Sequence, residues 1–260
     1  MTTELWLDAV FAQAWQGQDA FAAARALKGE VFRELEQRQT LAFTFAGQRY
    51  FIKRHQGARI GELLKNLLSL RLPVVSARNE YVALRAMQAL GLQVPVPAAY
   101  GRRGLLPAQL ESFLVTHDVG PHTSLEDHCR DWHREPPAFA HKQQLLAQVA
   151  EIARRMHGAG ICHRDFYRCH FLRRTRDGEL VVMDLHRALV KRRLGRRWII
   201  KDLAGLWFSA MDAGLTQRDL WRFLRQYRQQ DLRSVLRNEA GFWRAVQQRA
   251  LKLYRKHQTS

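Results

Sequence analysis

The order of elements around Asp165 and Asp184 restricts the possible folds of this chain more than any other feature. Lys142 to Met156 places Leu145, Leu146, Val149 and Ile152 on one face, the spacing of an amphipathic helix. The helix meets a stop signal at His157-Gly158-Ala159-Gly160. A polar loop follows, Ile161-Cys162-His163-Arg164-Asp165-Phe166-Tyr167-Arg168-Cys169-His170, and then a hairpin turning at Asp177-Gly178. Leu180, Val181, Val182 and Met183 read as a short buried strand that delivers Asp184 at its end.

His-Arg-Asp, followed five positions past the Asp by a second ligand-type residue, is the pattern of a phosphoryl-transfer loop. That chemistry needs one carboxylate facing the acceptor hydroxyl and another holding magnesium on the nucleotide phosphates. Asp165 and Asp184 fit these roles, and His170 stands at the second metal-ligand position. Cys162, His163, Cys169 and His170 are also zinc-ligand types. Their spacing gives two adjacent pairs rather than the separated pairs of a structural site, and zinc would leave Arg164 and Asp165 unexplained. Cys162 and Cys169 therefore read as small apolar filler.

A length of 260 residues allows one large domain or two lobes with a shared cleft, and 47% hydrophobic residues suffice for a core. Three cysteines without metal-type spacing point to a reducing compartment. Met1-Thr2-Thr3-Glu4 lacks the basic start and apolar run of a signal peptide, and no stretch approaches the roughly 20 apolar residues of a spanning helix. The expectation is a cytoplasmic protein. A net charge of +18 implies an anionic partner: nucleic acid, a membrane surface, an acidic protein or an acidic substrate. No nucleic-acid motif is present, so nucleic acid is not expected.

The stretch to Lys28 reads as an irregular helical lead-in. Val31 to Leu35, Thr40 to Phe45 and Tyr50 to Lys53 read as three strands, with Ala46-Gly47-Gln48 turning between the last two. Lys53 ends its strand where a kinase-type fold holds nucleotide phosphates, and Glu80 on the following helix is its expected ion-pair partner. No Gly-x-Gly-x-x-Gly lid occurs; the first turn is Glu36-Gln37-Arg38-Gln39, where backbone amides and Arg38 take its place. Between Lys53 and Glu80, Ile60, Leu63, Leu64, Leu67, Leu68 and Leu70 line a face beside Arg59, Lys65 and Arg71. That insertion either packs on the small lobe or docks on a membrane or an acidic helical partner. Val94-Pro95-Val96-Pro97 breaks the chain, and Ser112 to Val119 runs as a strand into a hinge. His117, Asp118 and Val119 are the candidates for reading the adenine edge there.

After Asp184, Leu185-His186-Arg187 stands where many kinases carry Phe-Gly. Arg187, Lys191, Arg192, Arg193, Arg196 and Arg197 then form a basic wall suited to phosphate or carboxylate on the acceptor. Asp202, read as opening an apolar helix, either caps it or braces the catalytic loop, with His163 and Arg164 as further structural support. Thr216-Gln217-Arg218-Asp219 reads as a capping box, and a last helix spans about Phe242 to Lys256. The fold class expected is α+β: a two-lobed protein-kinase-like fold, with an antiparallel-sheet N-lobe over residues 1–119 and a mainly helical C-lobe over 120–260.

Several segments carry a family resemblance. They are Gly29-Glu30-Val31-Phe32-Arg33-Glu34-Leu35-Glu36, Lys65-Asn66-Leu67-Leu68-Ser69-Leu70-Arg71, Cys169-His170-Phe171-Leu172, Asp184-Leu185-His186-Arg187-Ala188 and the run from Gly214 to Phe223. In these the chain resembles the lipopolysaccharide core heptose I kinases, a branch of the protein-kinase-like superfamily, over nearly its whole length. The resemblance implies ATP-dependent phosphorylation of the first heptose of the inner core, at the cytoplasmic face of the inner membrane. It implies Asp165 as catalytic base, Asp184 as magnesium ligand and Lys53 with Glu80 as phosphate anchor. His170 replaces the usual Asn, and either binds magnesium or orients Asp165. An acidic acyl-bearing protein such as acyl carrier protein is an expected guest of the leucine-rich insertion. A kinase acting on protein hydroxyls or a small molecule, and a non-catalytic scaffold, are the competing readings.

Overall fold

The computed structural model describes residues 3–35, 38–55, 76–106 and 109–259. The turn residues Glu36 and Gln37 and the leucine-rich insertion lie outside the described residues. The chain divides into two compact units, residues 1–85 with 95–119 and residues 86–94 with 120–260. Residues 86–94 thus group with the second unit, although they precede Val119.

The first unit is built on alternation. Its strands are Thr3–Leu7 (β1), Glu30–Leu35 (β2), Arg38–Phe45 (β3), Gln48–His55 (β4), Pro97–Arg103 (β5) and Glu111–His117 (β6). They form one antiparallel sheet in the order β1-β5-β6-β4-β3-β2. Helices Ala9–Ala14 (α1) and Ala20–Ala26 (α2) supply Phe11, Trp15 and Phe21 to a core shared with Tyr50, Ile52 and Phe113. Residues two apart share a face of a strand, so Lys53 stands on the side opposite Tyr50 and Ile52. Glu80, near the start of helix Arg78–Ala89 (α3), meets it there.

The N-terminal stretch holds the expected short helices, α1 and α2, but differs at its start. It opens with edge strand β1, held by Glu4, which takes hydrogen bonds from Arg78 and from the Tyr100 hydroxyl. Five residues of mixed polarity carry too little periodicity to announce a strand; backbone pairing with β5 defines it, and the ion pairs of Glu4 fasten it.

The second unit holds Leu125–His128 (α4), Phe139–Gly158 (α5), Arg196–Ala210 (α6), Gln217–Arg228 (α7), Leu232–Asn238 (α8) and Ala240–Gln258 (α9). Leucine, alanine and aromatic residues of α5, α6 and α9 form its core, with an apolar cavity of about 100 Å³ between them. The capping box at α7 is present: the Thr216 side chain and the Asp219 carboxylate each serve the other's backbone N–H. Asp219 also takes Lys142 Nζ at 2.9 Å, fastening α7 to α5. Two small sheets frame the central loop. His122–Ser124 (β7), Phe171–Arg174 (β9) and Leu180–Val182 (β10) form one, in the order β10-β9-β7. Ile161–Cys162 (β8) pairs with Leu189–Val190 (β11) in the other.

Helix α6 corrects the reading of Asp202. The helix starts at Arg196 rather than at Asp202, which lies in its middle and is fully buried. Arg196 and Arg197 occupy its first turn behind Gly195, which has no side chain to signal the start.

Candidate active site

The loop between β8 and β9 is shaped by Asp202. Its Oδ2 accepts the His163 backbone N–H at 2.7 Å, and its Oδ1 accepts that of Arg164 at 2.8 Å. His157 Nε2–H donates to Oδ2 at 3.3 Å, and the Tyr227 hydroxyl donates to His157 Nδ1 at 2.9 Å. Burial opposes the charge on Asp202, but hydrogen bonds from His157 and Cys162 outweigh it and hold the carboxyl below its usual range. Arg164 sits at φ 74°, a left-handed conformation costly for a non-glycine residue. The bond to Asp202 stabilises that turn.

His163 is fully buried and fixes the other end of the loop. Its Nε2–H donates to the Met183 carbonyl at 2.8 Å, and its Nδ1 accepts from the Asp165 backbone N–H at 3.3 Å. The two bonds together define a neutral ring, and burial lowers its pKa in agreement. One imidazole thus ties the residue that begins the loop's function, Asp165, to the residue before Asp184.

Asp165 presents its carboxylate to Arg187, whose Nη1 lies 2.9 and 3.1 Å from the two oxygens. His170 stacks on His163 with ring centroids 5.5 Å apart, and its Nδ1–H donates to the Asp165 carbonyl at 2.7 Å. Its Nε2 stands 3.7 Å from Asp184 Oδ2. Burial opposes charge on His170, but Cys169, the Asp165 carbonyl and Asp184 raise its pKa to about 9. Asp184 itself adopts φ 60°, and its Oδ1 accepts from His186 Nδ1–H at 2.5 Å. Asp165, His170, Asp184 and Arg187 therefore form one connected group in the second unit.

The rest of the basic segment stands outside that group. Lys191, Arg192, Arg193, Arg196 and Arg197 are all exposed. Arg196 lies over the Phe242 ring and Arg197 over Trp198, both aromatic contacts that keep the guanidinium in water. The segment is tied to the loop at Gly160, whose carbonyl accepts the Lys191 N–H at 3.0 Å.

In the first unit, Lys53 Nζ lies 2.5 Å from Glu80 Oε1. Glu80 is buried, and its Oε2 has no hydrogen-bond partner among the described residues. At the expected hinge, the His117 and Asp118 N–H groups are taken by the Val96 and Arg49 carbonyls at 2.9 and 3.0 Å. Their amides are thus committed within the unit.

Sequence reasoning missed two participants. His157 was read only as part of a helix stop, and Tyr227 was given no role in the site; Asp202, expected as a cap or a brace, joins the pair from a third helix. Arg187 was placed with the acceptor, and no local pattern pairs it with Asp165. Cys162 matches its reading as filler: it is buried, and its thiol lies 3.7 Å from the Trp198 carbonyl. Among the described residues no three His, Cys, Asp or Glu side chains come together as a metal cluster.

An antiparallel-sheet unit and a helical unit carrying a His-Arg-Asp loop make this an α+β, protein-kinase-like fold. The chain belongs to the lipopolysaccharide kinase (Kdo/WaaP) family, whose model matches residues 22–227. It is 48% identical over 231 residues to the lipopolysaccharide core heptose(I) kinase WaaP of Escherichia coli strain K12, covering 86% of this chain and 87% of that one. It is 45% identical over 260 residues to the Pseudomonas aeruginosa protein of the same name, covering 98% and 97%. A solved structure of WaaP in complex with acyl carrier protein matches with a TM-score of 0.84 at 41% identity, over 96% of this chain and 99% of that chain.

Proposed function

We propose that this protein is an ATP-dependent kinase that phosphorylates the first heptose of the lipopolysaccharide inner core. The observation that carries the reading is the Asp202 brace, which sets the loop bearing Asp165, in a chain 44 to 48% identical to heptose(I) kinases. Asp165 accepts the proton of the heptose hydroxyl as its oxygen attacks the γ-phosphorus. The bond to the β–γ bridging oxygen breaks, and ADP leaves with that electron pair. Lys53, fixed by Glu80, places a positive charge for the nucleotide phosphates. The Val119 N–H serves the adenine edge, since those of His117 and Asp118 are engaged.

Magnesium fits the donor set at Asp184. The carboxylate is 31% exposed, and magnesium is commonly held by one or two carboxylates with substrate phosphates completing its shell. When bound, it would neutralise charge on the transferring phosphoryl group. His170 serves mainly to orient Asp165, because its Nδ1–H is committed to the Asp165 carbonyl.

The acceptor and its setting account for the charge of +18. Lys191, Arg192, Arg193, Arg196 and Arg197 meet acidic groups of the lipopolysaccharide. No described helix is long and apolar enough to cross a membrane. The protein works at the periphery of the inner membrane, on its cytoplasmic face. An acidic acyl-bearing protein such as acyl carrier protein is a further partner. The solved relative in complex with acyl carrier protein and the excess of basic residues support this.

The test is transfer from labelled ATP, with magnesium, to core lipopolysaccharide lacking heptose phosphate. Label on heptose, lowered by orders of magnitude in Asp165→Ala, is the expected result. Equal label in both reactions would remove Asp165 from its role, and label on protein alone would overturn the acceptor.

A further inference from the structure

Arg187 covers the carboxylate that accepts the hydroxyl proton, a relation that neither a metal-binding role nor a surface role explains. We propose that Arg187 is a specificity-determining residue: it holds Asp165 until an anionic group next to the acceptor hydroxyl draws the guanidinium away. The proposal rests on the assignment of Asp165 made above.

The contact has the form of a removable clamp. A single nitrogen, Nη1, is shared between both carboxylate oxygens, at 2.9 and 3.1 Å. This is not the paired fork that gives arginine its strongest carboxylate contacts. Among the described residues no hydrogen bond engages Nε or Nη2 of Arg187, so the guanidinium keeps donors for a second anion. The Asp165 side chain is only 15% exposed, whereas that of Arg187 is 40% exposed. The carboxylate is covered, and the guanidinium covering it is open to solvent. The Arg187 backbone is anchored meanwhile, since its carbonyl accepts Arg164 Nη1–H at 3.4 Å. A side-chain movement therefore suffices to release Asp165.

Local charge favours that movement. Arg164, Arg187 and the half-buried Lys201 gather near Asp165, and Asp202 is already occupied by the loop amides and His157. Burial depresses the Lys201 pKa; Asp165 opposes this, while Arg164 and Arg187 add to it. A phosphate or carboxylate on the acceptor relieves this excess and offers Arg187 a bidentate partner. An uncharged acceptor does neither, and must compete with Arg187 for the Asp165 oxygens. The residue thereby converts acceptor charge into access to the base.

The experiment compares two acceptors, an uncharged methyl heptoside and a heptoside bearing an acidic sugar, with wild type, Arg187→Gln and Arg187→Lys. ATP hydrolysis without acceptor is measured alongside, with Asp165→Asn as control. Wild type is expected to prefer the charged acceptor. Arg187→Gln should narrow that preference in kcat/KM by tenfold or more, losing on the charged acceptor while holding or gaining on the uncharged one. Acceptor-free hydrolysis should rise, and Arg187→Lys should restore part of the preference. Equal losses on both acceptors, or an unchanged preference, in both Arg187 variants would overturn the proposal. Transfer retained by Asp165→Asn would instead remove the assignment beneath it.

Discussion

From the middle of α6, Asp202 Oδ1 reaches the backbone N–H of Arg164 at 2.8 Å, thirty-eight residues back along the chain. The bond holds Arg164 at φ 74° and, with Oδ2 on His163, sets the direction in which Asp165 leaves the loop. Asp202→Ala would leave both N–H groups without their acceptor, and each such buried group costs about 1–3 kcal/mol. The variant is expected to melt several degrees lower and to lose transfer by orders of magnitude. Asp202→Asn keeps an oxygen for one amide and should fall between. Thermal melts read alongside kcat check both. Wild-type kcat in Asp202→Ala would show that the loop holds its shape without the brace.

Asp219 predicts an acid-sensitive helix junction. Burial pushes its pKa up, but the Thr216 N–H and hydroxyl and Lys142 outweigh this and hold it at about 2. An unfolded Asp titrates near 3.9, so the folded pKa is the lower one. The stabilisation is then complete above about pH 4 and is lost as pH falls from there toward 2. Its size is roughly 2–3 kcal/mol, at 1.36 kcal/mol per pKa unit. Asp219→Asn should destabilise the protein at pH 7 and flatten stability against pH between 4 and 2. Denaturant melts across that range measure the slope.

Gly160 joins the loop to the basic segment and admits no side chain. A Cβ there would lie 1.8 Å from the Lys191 carbonyl oxygen, and its φ of 79° disfavours any other residue. Gly160→Ala must shift the backbone of Lys191, separating β11 from β8. Expected are a loss of stability of roughly 2 kcal/mol or more and weaker transfer. Hydrogen exchange at the Lys191 amide, whose bond runs to the Gly160 carbonyl, should rise more than at α9.

Legibility followed the range of the interactions. The loop residues His163, Arg164, Asp165 and His170 stood out because their chemistry depends on short spacing, and Asp184 because a strand delivers it. The capping box at Thr216 is likewise local, complete within four residues. Asp202 was noticed as a possible brace but placed at a helix start, since Gly195 and two arginines resemble a charged turn. The His157–Tyr227 link joins residues seventy apart, and the Arg187–Asp165 pair depends on how a 3-10 turn aims one side chain. Neither relation leaves a pattern in a linear chain. Strand β1 was missed for a related reason: its partner β5 lies ninety residues downstream, and only that pairing makes it a strand.

Lys53 and Glu80 can be separated by a double-mutant cycle. Their contact is 2.5 Å, and Glu80 is the more deeply buried of the two. Removing one partner of a buried pair strands the other charge, at a cost of about 3–5 kcal/mol, whereas removing both costs much less. Lys53→Met should therefore lower thermal stability more than the double variant Lys53→Met with Glu80→Gln. Activity should behave differently. Lys53→Met removes the proposed phosphate anchor and should cut kcat/KM for ATP by about a hundredfold or more, which the second substitution cannot restore. Glu80→Gln keeps the lysine but loosens its position, and a fall of roughly tenfold is expected. Recovery of stability without recovery of activity would identify the pair as an ion pair whose lysine also works on ATP. If activity returned together with stability in the double variant, Lys53 would be a packing residue and the phosphates would be held elsewhere.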